Sequence, residues 1–283
     1  MKTYKKFLIT SEPSNNDLVS GLLWQLDIDG INETDEGVVA FVSSTKNIIR
    51  DDIENILKGM IDERLIESFY IQEETLEDKN WNEEYEKNVR LIEVTEKIVI
   101  KPSFKEYISK PGQIIVTIDP KMSFGTGEHA TTKLVLQLIE KYVHGGEKVL
   151  DVGSGTAVLG ITSVMLGADS ALCIDNDEWC SLNGKENVKA NNLEGKVEIR
   201  LAEIQQVEEK EFDLITANIN KHILLDIAGE IRTKIKKGGV LILSGLLIID
   251  EKDIVEKYSP LQFELIEKIT MDEWCSLVFK LKV

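Results

Sequence analysis

The chain has 283 residues, of which 42% are hydrophobic and 29% charged, and its formal net charge is -17. This length suffices for two folded cores, and no apolar run reaches the length that a membrane span needs. Residues Met1–Phe7 lack the apolar segment of a signal peptide, so we expect a cytoplasmic protein. The acidity disfavours direct binding of nucleic acid and favours a basic partner, although it also serves solubility alone.

The three cysteines and three histidines are scattered along the chain. They are Cys173, Cys180, Cys275, His129, His144 and His222. The cysteines form no Cys-x-x-Cys pair and the histidines do not cluster, so the sequence predicts neither disulfides nor a metal site.

The first 72 residues predict a small α+β domain. The predicted elements are a strand at Phe7–Thr10, a helix at Asn16–Leu26, strands at Ile28–Asn32 and Val38–Val42, a helix at Asp51–Met60 and a strand at Ser68–Gln72. This βαββαβ order describes a ferredoxin-like fold. Residues 1–72 carry no catalytic constellation, so we interpret them as a substrate-recognition domain. A purely structural or dimerising role is the alternative.

An acidic stretch at residues 73–88 follows this domain. Trp81 and Tyr85 are four residues apart, which places both rings on one face of a helix. We therefore expect an exposed helical linker whose aromatic pair docks on a neighbouring domain. Short β-prone runs then open a second domain, residues 89–283. These runs are Leu91–Val94, Ile98–Ile100 and Ile114–Val116.

A loop with two glycines precedes the first helix of the second domain. Gly125 and Gly127 flank Thr126, and Thr131 and Thr132 begin the helix. Such a loop offers free main-chain donors and hydroxyls near a helix N-terminus. We expect it to close over a cofactor, with a simple capped turn as the alternative. His129, within the loop, is a candidate site residue, but a lone histidine in a loop is more often a bystander.

The stretch Lys148–Gly160 predicts a cofactor-binding turn. An apolar strand leads through Gly153 and Gly155 straight into a helix, as in open α/β sheets that bind nucleotide-like ligands. A dinucleotide fingerprint needs a third glycine where Val158 stands. Asp151, just before the turn, would repel a pyrophosphate and attract an ammonium group. S-adenosylmethionine has that ammonium group and no phosphate.

A carboxylate at the next predicted strand end supports the same ligand. The run Ala171–Ile174 ends in Asp175, 22 residues after Gly153. An acid at the tip of the second strand binds the two ribose hydroxyls in nucleotide-binding folds. The spacing favours adenosylmethionine over a nicotinamide cofactor. Glycines that serve only a tight strand-to-helix turn are the alternative.

Beyond Asp175, strand and helix patterns alternate. The predicted elements are a helix at Glu178–Ala190, strands at Val197–Leu201 and Phe212–Ala217, a helix with Ile223, Ile227, Ile231 and Ile235 on one face, a strand at Val240–Ser244, a helix at Asp250–Tyr258, and strands at Phe263–Ile269 and Trp274–Leu281. No helix separates the last two strands. We therefore predict an α/β fold with a Rossmann-like, doubly wound, mostly parallel seven-stranded sheet that ends in an antiparallel hairpin.

Asn218 directly follows one of these strands. The carboxyl ends of parallel strands face the ligand crevice, so the Asn218 amide lies where a methyl group would be presented. An amide accepts from an amine while it donates to a neighbour. Ile219 and Asn220 do not provide the Pro-Pro-aromatic platform on which nucleic-acid amine methylases stack a flipped base. A plain turn residue at the strand end is the alternative.

Together these motifs resemble the bacterial ribosomal protein L-eleven methyltransferase family, which are class I S-adenosylmethionine-dependent protein methyltransferases. The resemblance is continuous from about Asp119 to Ser244. The matching segments are Phe124–Gly127 with Thr131 and Thr132, Asp151–Gly155, Asp175 with Asp177, Ala217–Ile219 and Gly238–Gly245. The resemblance implies methyl transfer from adenosylmethionine to lysine side chains and the N-terminal amine of that large-subunit ribosomal protein.

The resemblance also implies roles for individual residues. The cofactor contacts that it implies are Thr132, Gly153, Asp175 and Asn218, and the loop patterns described above add Gly125, Gly127, Asp151 and Gly155. The groups that would orient the acceptor amine are Asn218, Phe124 and Thr126. This chain departs from the family pattern at Glu128–Ala130, Thr156–Ala157 and Asn220. These departures affect how the acceptor amine would be positioned.

Methyl transfer to an amine is an in-line displacement, so it needs alignment and a neutral amine. A lysine has a pKa of about 10.4, and holding it neutral at pH 7 costs roughly 4.6 kcal/mol, much of which desolvation can supply. We therefore predict an enzyme without a dedicated general base. We also expect the enzyme to be a monomer. Three alternatives stay open: a methyltransferase for another protein lysine or a small amine, a nicotinamide-dependent oxidoreductase, and a module that binds the cofactor without turnover.

Overall fold

A computed structural model describes residues 3–43, 46, 48, 50–77, 91–119, 121 and 123–282. The chain divides into two compact units, Met1–Val89 and Arg90–Val283. Residues 78–88 of the predicted helical linker, with Trp81 and Tyr85, lie outside the described residues. Within the described parts of the chain, no helix is both long and apolar enough to cross a bilayer.

The N-terminal unit has the predicted ferredoxin-like order. Its elements are β1 (Thr3–Glu12), α1 (Asn16–Leu23), β2 (Gly30–Thr34), β3 (Gly37–Ser43), α2 (Arg50–Asp62) and β4 (Ser68–Glu77). The strands form one antiparallel sheet in the order β2-β3-β1-β4. Strand β4 pairs with β1 along its full length and continues to Glu77 instead of ending at Gln72. Residues 73–77 are therefore strand and not the start of a helical linker.

The core of this unit follows from the two periodicities of its sequence. In α2, Ile53, Leu57 and Met60 recur every three or four residues, and all three are buried. In β1, Phe7 and Ile9 alternate with less buried residues and are enclosed as well. The unit thus buries apolar side chains of both its sheet and its helices.

The C-terminal unit opens with a three-stranded sheet and continues as a βα alternation. Its elements are β5 (Ile92–Glu93), β6 (Ile98–Lys101), β7 (Ile114–Thr117), α3 (Ala130–Tyr142), β8 (Lys148–Val152), α4 (Val158–Met165), β9 (Ser170–Asp175), α5 (Glu178–Ala190), β10 (Val197–Leu201), β11 (Phe212–Asn218), α6 (Lys221–Lys234), β12 (Ile235–Leu247), α7 (Glu251–Tyr258), β13 (Phe263–Met271) and β14 (Trp274–Leu281). The large sheet has seven strands in the order β10-β9-β8-β11-β12-β14-β13.

Strands β8 to β12 of this sheet are parallel, and β14 is antiparallel to both of its neighbours. The predicted doubly wound sheet with a terminal hairpin is therefore confirmed. The chain leaves β8 towards β9 and later returns to place β11 on the other side of β8. Such a reversal opens a crevice at the carboxyl ends of the strands.

The helix that was predicted to carry four isoleucines is shorter than its pattern suggested. Helix α6 ends at Lys234, and Ile235 opens β12 by pairing with Phe212 of β11. At the other end, Ile223 is 38% exposed, whereas Ile227 and Ile231 are buried. Strand pairing and the position of the sheet, which act between distant residues, override the local four-residue repeat.

Candidate functional site

Two glycine loops of the C-terminal unit lie directly against each other. The main-chain nitrogen of Thr156, just after β8, donates to the carbonyl oxygen of Phe124 at 2.9 Å. The Thr156 hydroxyl donates to the carbonyl oxygen of Gly125 at 2.6 Å. The loop that precedes α3 is thereby fixed to the turn that precedes α4.

Glycine is required at this contact for two reasons. Gly125 and Gly155 have φ values of 100° and 52°, in the left-handed region that other residues rarely adopt. A Cβ on Gly155 would lie 2.3 Å from the Phe124 carbonyl oxygen, and one on Gly125 would lie 2.7 Å from Thr156 Oγ1. The missing side chains of Gly155 and Gly125 therefore allow the two loops to approach each other.

The Asp175 carboxylate lies at the tip of β9 and contacts the same turn. Its Oδ2 accepts from the main-chain nitrogen of Gly155 at 2.8 Å, and its Oδ1 accepts from that of Asp177 at 3.0 Å. Partial burial raises the pKa of Asp175, and these two hydrogen bonds act against the shift. Each carboxylate oxygen keeps a lone pair, so Asp175 can still accept from the two hydroxyls of a ribose.

Asp151 lies behind the turn and is fully enclosed, with 0% exposure. Its Oδ1 accepts from Thr216 Oγ1 of the adjacent strand at 2.7 Å, and the main chain of Gly160 in α4 also favours the charged form of the carboxylate. Burial raises the pKa of Asp151 to about 7, and the negative charge of Asp175 adds to the shift. The carboxylate has no surface on the crevice. The contact with a ligand ammonium group that the sequence suggests is therefore not seen here and stays a prediction.

Asn218 is the last residue of β11 and faces the first turn of α3. Its Nδ2 donates to Thr132 Oγ1 at 3.5 Å, and only 9% of the residue is exposed. Its Oδ1 has no partner in the described part of the chain. Buried amide oxygens are usually satisfied, so this one is available to a donor on a bound ligand.

His129 begins α3 and has a fixed orientation. Its Nδ1 accepts from the main-chain nitrogen of Thr131 at 3.2 Å and lies 2.8 Å from Thr131 Oγ1. This acceptor role assigns the ring proton to Nε2 in the neutral imidazole. The ring packs edge-on against Phe124 and Trp274, with centroids 5.5 and 4.9 Å away.

The loop residues predicted from the sequence hold different positions. Phe124 is half-buried, and its ring packs on His129. Gly153, in the other loop, lies so close to Ile219 that a Cβ would come within 2.3 Å of Ile219 Cγ2. The hydroxyl of Thr126 accepts from the main-chain nitrogen of Glu128 at 3.2 Å. A Cβ on Gly127 would come within 2.4 Å of Ile100 Cδ1, so this glycine seats the loop on β6.

The structure thus joins both loops to Asp175 at one end of the sheet, and it places Asn218 at the end of an adjoining strand. Sequence reasoning missed Thr156, which connects the loops, and Trp274, which it named only as a strand start. It also treated His129 as a bystander, although the ring is buried between two aromatic residues. A local pattern does not reveal these contacts, because they join residues far apart in sequence.

Comparisons with known proteins identify the family of this chain. A sequence model of the family described as Ribosomal protein L11 methyltransferase (PrmA) matches residues 19–282. The chain is 34% identical over 270 residues to the Ribosomal protein L11 methyltransferase of Chlorobaculum parvum, which covers 94% of this chain and 92% of that protein. It is 32% identical over 205 residues to the protein of the same name from Acetivibrio thermocellus. This alignment covers 72% of this chain and 65% of that protein.

A solved structure leads to the same assignment. The crystal structure of ribosomal protein L11 methylase from Lactobacillus delbrueckii subsp. bulgaricus is similar with a TM-score of 0.65 at 28% identity, covering 69% of this chain and 100% of that chain. The family match spans both glycine loops, Asp175 and Asn218. The chain therefore belongs to the ribosomal protein L11 methyltransferase family.

Proposed function

We propose that this chain transfers methyl groups from S-adenosylmethionine to amino groups of ribosomal protein L11, namely lysine side chains and the N-terminal amine. Family membership supports the reaction class. The observation that carries the proposal is the Asn218 amide, which is buried at the carboxyl end of β11 with Oδ1 free to accept from a ligand. This arrangement suits a site that must align an amine.

The residues at the crevice fit adenosylmethionine. Asp175 offers two carboxylate oxygens to the ribose hydroxyls, while Gly153 and Gly155 bring bare main chain to the same place. Asn218 at the neighbouring strand end and Thr132 in the first turn of α3 face each other, and we expect the methionine part to lie beside them. The loop of Gly125 and Gly127 is held against this turn by Thr156, so we expect it to cover the bound cofactor.

When bound, the cofactor supplies an electrophilic methyl group on a sulfonium. A neutral acceptor amine would take this methyl group through its lone pair as the carbon–sulfur bond breaks, and it would then lose a proton to water. The chain contributes alignment: Asn218 Oδ1 accepts from an N–H of the amine, and the Phe124 and Thr126 loop limits its approach. His129 Nδ1 is occupied by the Thr131 main chain, so we assign no base role to that nitrogen.

The partner and the compartment are parts of the same proposal. A net charge of -17 favours a basic ribosomal protein by long-range attraction. We assign substrate recognition to residues 1–72 and expect a monomer that does not bind nucleic acid directly. Because ribosomes are assembled in the cytoplasm, that compartment is part of the proposal.

The test combines calorimetry with mass spectrometry. Wild-type chain is expected to bind adenosylmethionine and to add methyl groups to purified ribosomal protein L11, each of which raises its mass by a fixed increment. Asn218→Ala is expected to reduce the methylation rate at least 100-fold with an unchanged melting temperature. Lys257→Ala, at an exposed position of α7 outside both the site and residues 1–72, serves as the control and is expected to keep full activity. Wild-type turnover in Asn218→Ala would refute the role of the amide.

A further inference from the structure

Trp274 lies at the carboxyl edge of the large sheet, although it belongs to the last strand. Strand β14 runs antiparallel to β12, so its first residue pairs with Leu247 near the end of β12. Strand β12 in turn pairs Ser244 with Asn218. The start of β14 is therefore brought to the same edge at which Asn218 ends β11.

Hydrogen bonds connect this hairpin to the start of α3. Ser276 Oγ of β14 donates to Ser244 Oγ at 2.7 Å, and Ser244 Oγ donates to the carbonyl oxygen of Thr131 at 3.4 Å. His129 caps this helix, because its Nδ1 accepts from the main-chain nitrogen of Thr131, and its ring packs edge-on against Trp274 at an interplanar angle of 67°. The indole thus packs against the ring that caps α3, and the strand that carries it is hydrogen-bonded to the first turn of the same helix.

The indole nitrogen of Trp274 is a buried donor without a hydrogen-bond partner in the described part of the chain. Only 5% of the residue is exposed. Buried tryptophans usually satisfy their N–H, so an unpaired one at a ligand-binding edge calls for an acceptor from outside the chain. Asn218 Oδ1, at the same edge, is an unpaired acceptor.

We propose that Trp274 is a ligand-binding residue whose indole N–H donates a hydrogen bond to a carboxylate or carbonyl oxygen bound at this edge. This inference rests on the proposed function. That oxygen belongs either to the carboxylate of the methionine part of the cofactor or to the main chain of the acceptor segment. His129 acts as a positioning residue, because its ring is held by the main chain of Thr131 and packs edge-on against the indole.

The first experiment observes the indole N–H directly. In a ¹⁵N-labelled chain, each of the four tryptophans gives one indole signal, and Trp274→Phe identifies the signal of Trp274. S-adenosylhomocysteine is added first, and ribosomal protein L11 second. A downfield proton shift at the first addition supports the cofactor carboxylate, and a shift only at the second supports the acceptor segment. If Trp274→Phe does not fold, benzothienylalanine at position 274 keeps the ring shape and removes the N–H.

The second experiment measures function with a matched control. Trp274→Phe keeps an aromatic ring beside His129, and Trp179→Phe makes the same change at a residue that is 68% exposed on α5. We expect Trp274→Phe to raise the cofactor Kd or to lower kcat/KM for the ribosomal protein at least tenfold, and Trp179→Phe to change neither.

Two results would overturn the inference in distinguishable ways. An indole signal that moves with neither ligand, together with unchanged constants in Trp274→Phe, would exclude the bond while the wild-type chain still methylates. A wild-type chain that neither binds S-adenosylhomocysteine nor methylates the ribosomal protein would overturn the proposed function itself, and this inference with it.

Discussion

The hydroxyl of Thr156 donates a 2.6 Å hydrogen bond to the carbonyl oxygen of Gly125, and both groups are buried. This bond connects the loop before α3 to the turn after β8. The main-chain nitrogen of Thr156 adds a second hydrogen bond between them, to the carbonyl oxygen of Phe124. The two loops therefore form one rigid wall of the candidate site. Rigidity of this kind holds a cofactor in the alignment that methyl transfer requires.

Removing the Thr156 hydroxyl is expected to loosen this wall. Thr156→Val keeps the side-chain volume but leaves the Gly125 carbonyl oxygen without that partner, which costs about 1–3 kcal/mol of unfolding free energy. We expect the Kd for adenosylmethionine to rise at least tenfold. Thr156→Ser keeps the hydroxyl and is the control. Denaturant unfolding and calorimetry measure both effects, and equal affinities in the two variants would contradict the role of the bond.

The close approach of the loops predicts a strong effect of Gly155→Ala. The new Cβ would lie 2.3 Å from the Phe124 carbonyl oxygen, in a left-handed conformation that already costs alanine about 1 kcal/mol. The loops must separate, so binding of adenosylmethionine should be lost or weakened at least 100-fold. Gly195→Ala adds a Cβ with no atom within 4 Å and should leave affinity unchanged. Near wild-type binding in Gly155→Ala would show that the contact is not needed.

The carboxylate at the tip of β9 is expected to dominate cofactor affinity. Asp175→Ala removes the acceptor for Gly155 and those proposed for the ribose, and hydrogen bonds to charged groups are worth about 1.5–3 kcal/mol each. We expect at least a 100-fold rise in Kd by calorimetry. Asp177→Ala removes only the cap of α5, so it should lower stability by about 1 kcal/mol and change Kd less than threefold. Similar Kd values in the two variants would argue against ribose binding by Asp175.

Asp151 predicts a pH dependence of stability. Its folded pKa of about 7 lies above the ordinary value of 3.8, so between these pH values the folded chain keeps a proton that the unfolded chain has lost. The stabilisation is complete below pH 4 and is lost as the pH rises through 7. At about 1.4 kcal/mol per pH unit, the total loss is about 4 kcal/mol.

Asp151→Asn isolates this effect, because the amide does not titrate and can still accept from Thr216. The unfolding free energy of the variant relative to wild type should rise by up to about 4 kcal/mol between pH 4 and pH 8. Denaturant unfolding at several pH values measures the difference. Parallel stability curves for the two proteins would mean that Asp151 titrates near its ordinary pKa in the folded state.

Local sequence patterns determined the class of the fold. The β-prone run Phe7–Thr10 predicted β1, and the apolar repeat in α2 predicted that helix, because a helix that buries one face repeats its apolar residues every three or four positions. The turn of Gly153 and Gly155 located the candidate cofactor site, and Asp175 and Asn218 followed as strand ends of a parallel sheet. These features depend on residues that are close along the chain, so they can be recognised in the sequence alone.

Only the tertiary structure decided which distant groups meet. Thr156 finds Gly125, Trp274 comes to the edge at which Asn218 lies, and Ile235 joins a strand instead of a helix through pairings that no local period encodes. The burial of Asp151 likewise follows from the packing of adjacent strands and of α4. Close packing and strand register act between residues that are remote along the chain, which is why these contacts appear only once the sheet is assembled.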